Sequence, residues 1–470
     1  MTPKTLDSIA RACGALVEEL AADVEVHGVC TDSRRIRRGD LFIALSGDHF
    51  DGHAFVEKAA SSGACAALVR RGCEPAVAGA MPLLFVDDPR EALGRLAASY
   101  RMGHHPTIIA VAGSNGKTTA KEFLGRLLAQ AGETIWSEAS FNNDIGVPLT
   151  LLRMDSRTRY VVSEVGTNHP GELAPLLRMV RPSIGVLTSL GREHLEHFGS
   201  EEGVAQEEGW IGEVLPAEGL LVVNGDTPGV ERVISRTRAK VIKVGFGRGN
   251  EWRLGNYRFE QDGVCFEVEG PLRNVCGDYR IQHVGRHQAV NAVLALVVAA
   301  LEGIDREAIQ RGFLECAPAP MRLQLWRAGG IQILDDAYNA NEDSMAAALQ
   351  TLGEMPVITR RVAVLGDMAE LGSHSEAAHR AVGIQAARSG VNHLIAVGQM
   401  RGLMAEGARS GGLSSVSEFG DATQAANALR VFVRAGDAVL IKASRASKLE
   451  FVGKALREFL ESNGPEEPNS

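Results

Sequence analysis

The 470-residue sequence contains no apolar run near the roughly 18 residues that a membrane-crossing helix requires, so none is expected. Its first residues, MTPKTLDSIARACG, lack the apolar core of a secretory signal. The seven cysteines, at 13, 30, 65, 73, 265, 276 and 316, are odd in number and never spaced as CxxC. That pattern indicates neither a zinc site nor a disulfide framework, and it fits a reducing cytoplasm. A basic surplus is also missing. The net charge is −9, which argues against a dedicated nucleic-acid binder but not against a locally built anion site. There is no internal repeat and no low-complexity segment, and the C-terminal third has no GxGxxG, so nicotinamide binding is unsupported there.

Hydrophobic residues at 45% and charged residues at 23% describe an ordinary globular chain, long enough for about three domains. Its organising stretch is Thr107 to Leu128. Thr107 to Ala112 is an apolar, β-branched run of the kind buried on both faces of a parallel sheet. Gly113-Ser114-Asn115-Gly116-Lys117-Thr118-Thr119 follows. A helical pattern then carries Phe123, Leu124, Leu127 and Leu128 on one side. A glycine loop opening a helix points backbone N–H groups at an anion. Lys117 adds a full charge, and Thr118 or Thr119 a hydroxyl able to ligate Mg²⁺. The loop is shorter than the usual Walker A pattern, because position 111 is valine where a glycine is wanted. Triphosphate binding is the chemistry implied.

Around this stretch the expected fold class is α/β with three domains. Residues 1–103 read as a small α/β unit, with helices at Leu6–Leu20, Gly52–Ser62 and Pro89–Tyr100 and strands at Val24–Cys30, Leu41–Leu45, Ala64–Arg70 and Leu83–Val86. Its segment Thr31 to Asp40 carries four arginines, which suit either a phosphorylated ligand or a solvated loop. Residues 104–318 read as a P-loop-type parallel-sheet domain, with further strands at Tyr160–Val165, Ile184–Thr188, Gly219–Val223 and Val241–Val244. A hairpin-like stretch is expected at Tyr257–Val268 and an apolar helix at Gly285–Leu301. Residues 319–470 read as a Rossmann-like domain, with strands at Ile331–Asp335, Arg361–Leu365, His393–Val397 and Ala438–Ile441 and helices between them. The polar end ESNGPEEPNS reads as a frayed tail. Polar clusters follow several strands, where ligands bind in open parallel sheets. Glu164 and His194 end two central strands on the phosphate-loop edge, which makes them candidate Mg²⁺ ligands.

Four segments in order, GSNGKTT, SEVGTNHPGEL, DDAYNANEDSM and VLGDMAELG, resemble the Mur ligases of peptidoglycan synthesis, and TDSRRIRRGDLFIALSGDHFDGHAF resembles their N-terminal substrate segment. The resemblance spans nearly the whole chain. It implies ATP-dependent amide ligation through an acyl phosphate, with Mg²⁺. DDAYNAN and LGDMAELG further imply UDP-N-acetylmuramoyl-tripeptide and D-alanyl-D-alanine as the molecules joined. A cytoplasmic monomer without nucleic-acid or stable membrane partners is expected. Alternatives are another Mur-type ligase, folylpolyglutamate synthase or a non-catalytic nucleotide-binding protein.

Matched position by position, the resemblance implies that Gly113 to Thr119 hold the phosphates, with Lys117 on the β and γ oxygens. Thr118 or Thr119, Glu164 and His194 match metal ligands. Asn291 matches a position near adenine, Arg322 an arginine reaching the γ-phosphate, and Asp336, Tyr338 and Asn339 a segment closing on ATP and the amine. Ser33 and Arg34 match the uridine side; Asn142, Asn143, Thr167, Asn168 and His169 match the tripeptide side. The family usually carries a lysine, carbamylated to hold a second Mg²⁺, where this chain has Glu208. The expectation is that Glu208 supplies that carboxylate directly.

Overall fold

The computed structural model describes residues 1–15, 23–47, 50–73, 81–356 and 359–463. The first unit is a parallel sheet of Gly28–Cys30, Asp40–Ile43, Ala66–Arg70 and Leu83–Val86, in that order. Helix Pro89–Met102 begins at Asp88, whose carboxylate accepts from the N–H groups of Arg90 and Glu91, with proline in the first turn. The first helix runs only Leu6–Cys13, ending at Gly14 with φ +72. The rest of the expected helix, residues 16–20, lies outside the described residues.

The central unit is one nine-stranded sheet. Thr107–Ala112 lies in its middle, flanked by Tyr160–Glu164 and Ile184–Leu187, all parallel. Leu220–Asn224, Lys240–Gly245 and Trp252–Glu260 continue the parallel order outward, and Thr134–Trp136 closes the other edge. The hairpin-like stretch is longer than expected: Trp252–Glu260, Gly263–Glu269 and Gly277–Ile281 make an antiparallel extension of the same sheet. Helix Lys117–Ala129 buries Phe123, Leu124, Leu127 and Leu128 against the apolar helix Arg286–Leu301.

The third unit is a six-stranded sheet in the order Gln324–Ala328, Ile331–Asp336, Ala438–Lys442, Arg361–Leu365, His393–Val397, Val416–Phe419. Only the first pairing is antiparallel. Apolar clusters on both faces mark a doubly wound arrangement. Two edge strands, Gln324–Ala328 and Val416–Phe419, and helix Arg401–Ser410 join the expected elements. The last helix, Glu450–Asn463, takes in the first residues expected to fray, and residues from 464 onward lie outside the described ones. No helix among the described residues is long and apolar enough to cross a membrane.

Candidate active site

Parallel strands emerge side by side, so the loops after their carboxyl ends meet on one edge. Here the edges of the central and third sheets face each other across a cavity of about 1520 Å³. From the central side it is lined by Ser114 to Thr119, Glu164 and His194, and by Asn142, Asn143, Thr167 and Asn168. From the other side come Arg322, Asp336, Tyr338 and Asn339. Residues drawn from well-separated segments of the sequence therefore share one space.

The phosphate loop turns on Gly113 (φ +120) and Gly116 (φ +90). Asn291 lies beneath Gly116, so close that a Cβ there would come within 2.7 Å of its amide. Lys117 folds back on its own loop, donating to Gly113 O at 2.5 Å, with Glu193 Oε2 at 3.8 Å. Burial opposes its charge, but Glu193, Glu208 and Glu164 together hold its pKa above the ordinary lysine value. Arg322 stacks 4.0 Å over the Tyr338 ring and donates to Ser140 Oγ at 3.0 Å. Asp336 is fixed by Lys442 Nζ at 2.6 Å and by the Leu323 N–H.

Glu164 is 1% exposed. Its Oε1 accepts from Asn142 Nδ2 at 3.0 Å and Thr118 Oγ1 at 3.3 Å, while Oε2 has no hydrogen-bond partner and stands 3.8 Å from Lys121 Nζ. Glu208 is as deeply buried, and neither of its oxygens has a partner. Burial, reinforced by Glu193 and opposed by Lys117, pushes its pKa up to about 8; the Gly113 N–H favours the charged form from beyond hydrogen-bond geometry. His194 sits in the left-handed region (φ +48) and its Nδ1 pairs with Glu370. Orphaned carboxylate oxygens beside a threonine hydroxyl are the hard donors that suit Mg²⁺. Among the described residues no three His, Cys, Asp or Glu side chains cluster as a metal site. Phosphate oxygens and water would therefore have to complete a Mg²⁺ shell.

Of the expected site residues, Gly113 and the buried Glu208 do not line this cavity, and three more lie apart from it. Ser33 is buried in the first unit, and Arg34 is exposed and pairs with its own neighbour Asp32. His169 pairs with Glu172 and stacks on His197, 4.2 Å between ring centres. In turn, sequence reasoning missed several groups. Arg192 donates to Asp343 from Nη2 and its backbone N–H, at 2.5 and 2.6 Å, and to Glu342 at 2.5 Å. Asn341 exchanges amide hydrogen bonds with Asn115, itself an expected phosphate-loop residue. Glu370 lay in a flagged segment, but nothing in the sequence paired it with His194. Non-glycine residues at positive φ were invisible as well: Ala139, His194, Met321, Leu323 and Glu370 all line the cavity or adjoin a lining residue. Such backbone strain concentrates at functional sites.

A phosphate loop with buried carboxylates, faced by an arginine and an acidic strand end from a second α/β unit, is the apparatus of an enzyme that activates a carboxylate with ATP. The chain belongs to the Mur ligase family. Residues 111–299 match the Mur ligase middle domain, 321–445 the "Mur ligase, glutamate ligase domain", and 25–101 the "Mur ligase family, catalytic domain". It is 36% identical over 444 residues to the UDP-N-acetylmuramoyl-tripeptide–D-alanyl-D-alanine ligase of Escherichia coli K12, covering 93% of this chain and 95% of that one. Against the Bacillus subtilis 168 ligase of the same name identity is 33%, covering 97% and 99%. The solved structure of MurF from Acinetobacter baumannii superposes with a TM-score of 0.87 at 29% identity, covering 97% of this chain and 99% of that one.

Proposed function

We propose that the chain joins D-alanyl-D-alanine to UDP-N-acetylmuramoyl-tripeptide, converting ATP to ADP and phosphate. The tripeptide's terminal carboxylate attacks the γ-phosphorus, and the bond to the β-bridging oxygen breaks. The dipeptide amine then adds to the acyl carbon, gives up its proton, and phosphate leaves. The observation that carries this reading is the shared cavity, with Lys117 on one wall and Arg322 on the other. Phosphoryl transfer needs chiefly positioning and charge neutralisation, and both groups supply them. Asn142 orients Glu164. Thr118, Glu164, His194 and Glu208 would hold Mg²⁺, with Thr119 beside them; the ion neutralises charge on the phosphates.

The domain boundaries near residues 103 and 318 belong to this proposal, with the first domain taking the nucleotide-sugar and the third the dipeptide. A cytoplasmic location is supported by the seven cysteines, all free. Purified protein should release phosphate only when ATP, UDP-N-acetylmuramoyl-tripeptide and D-alanyl-D-alanine are all present. Release with a folate and glutamate instead would overturn the assignment. For Glu208, Glu208→Lys should regain activity only with added bicarbonate, and full activity in Glu208→Ala would remove it from the metal set.

A further inference from the structure

Lys121 follows Lys117 by one helical turn and lies on the same stripe as Leu124 and Leu128. It is 0% exposed. Its ammonium donates to Ser137 O at 2.9 Å and to Ala139 O at 2.6 Å, and it is ion-paired with Glu122 Oε1 at 2.7 Å. The carbonyl it grips most closely belongs to Ala139, a non-glycine residue at φ +44. An L-residue adopts that conformation only when its surroundings enforce it. The next residue is Ser140. Its hydroxyl lies 3.4 Å from Thr118 Oγ1 and accepts from Arg322 Nη2 at 3.0 Å. A phosphate-loop hydroxyl and the arginine at the start of the third unit thus meet on one serine, at the end of a loop that a buried lysine holds in a strained shape.

We infer that Lys121 and Ser140 are positioning residues for the ligation. Lys121 fixes Ala139 in the left-handed region, which aims the Ser140 hydroxyl, and Ser140 seats Arg322 against the phosphate loop. The inference rests on the ligase reading above. It assigns a task to a lysine that neither binds nucleotide nor lines the cavity, and it makes the 137–140 loop the connector between phosphate binding and the approach of the third unit.

The test is steady-state phosphate release with all three substrates, recorded with thermal unfolding. Ser140→Ala should lower kcat about thirtyfold with the ATP KM within threefold of wild type, and Ser140→Thr, which keeps the hydroxyl, should retain at least a third of kcat. Lys121→Met should lose kcat to a similar extent, and the double variant should be no worse than Lys121→Met alone. Multiplying losses would mean that the lysine does not act through the serine, and would overturn the inference. So would full kcat in Ser140→Ala. If Lys121→Met does not fold, Ala139→Val decides: it keeps the lysine but disfavours positive φ, and it should reproduce the kcat loss while Ala139→Gly stays near wild type. A wild-type protein without three-substrate turnover would instead defeat the ligase reading itself.

Discussion

Gly116 is held tightly within the phosphate loop. It needs φ +90, and any Cβ would press on the Asn291 amide at 2.7 Å. Gly116→Ala should therefore cut three-substrate phosphate release by at least about a hundredfold, the scale of losing an aligned anion donor. The fold should persist, at some cost in stability, as circular dichroism would check. Near-normal turnover would show that the loop tolerates re-aiming. Glu208 makes a different prediction. Burial lifts its carboxyl from 4.5 to about 8. Between those values the folded protein keeps a proton that the unfolded chain has released, so this group's contribution to stability is lost as pH rises through the window. In metal-free protein, Glu208→Gln should flatten that slope and raise the unfolding midpoint at pH 8 by at least about 2 °C. A drop in the midpoint at pH 8 would contradict the assigned direction. At this scale the sequence exposed groups whose chemistry is bound to a local pattern, such as Lys117 after its glycines and Glu164 at a strand end. It could not expose Ser140 or Arg192, because their partners lie 182 and 151 residues away.

Elements were legible where burial is uniform. Arg361–Leu365 and His393–Val397 are continuous apolar runs and form as read. Gln324–Ala328 and Val416–Phe419 are half-buried edge strands whose pattern is short and mixed. Helix Arg401–Ser410 was hidden by its glycines. A Cβ on Gly407 would lie 2.0 Å from Arg380 O, and one on Gly383 2.0 Å from Met404 O, so each helix needs a glycine where the other's backbone passes. Gly407→Ala should consequently destabilise the protein by about 1–3 kcal/mol, although alanine is the better helix former. A midpoint at or above wild type in thermal unfolding would refute the packing argument. Helix Glu342–Glu354 shows an element used as a latch. Its cap, Asn341, bonds Asn115 of the phosphate loop, and its first residues take Arg192. Asp343→Asn weakens that grip without altering size. It should lower kcat about tenfold and raise the radius of gyration in small-angle scattering, and an unchanged curve with unchanged kcat would show that the contact is incidental.

At the scale of the whole molecule, the seam between the central helix and the third unit gives the protein an acid sensitivity. His283 lies just before helix Arg286–Leu301 and His287 in its first turn. His283 is buried, with Nδ1 unpartnered and its ring 4.6 Å from that of Phe123; burial lowers its pKa to about 3. Burial likewise lowers His287 to about 4, against the pull of Asp336. An unfolded histidine takes up a proton near 6.5, whereas these two do so only well below it. The unfolded chain then binds more protons between roughly pH 6.5 and 4, and stability falls as pH drops through that range. Asp335 pulls the other way. Burial raises it to about 6, so its contribution declines as pH rises from 3.8 towards 6 and partly offsets the histidines on acidification. The two effects separate by substitution. His283→Phe keeps an aromatic ring against Phe123 and removes the titration. At pH 5 an intact His283 costs about 2 kcal/mol by this linkage. The variant should therefore unfold about 2 °C higher than wild type at pH 5, with the gap closing by pH 7.5. A gap that stays constant across pH would mean that the gain is packing alone and that His283 titrates normally in the folded protein.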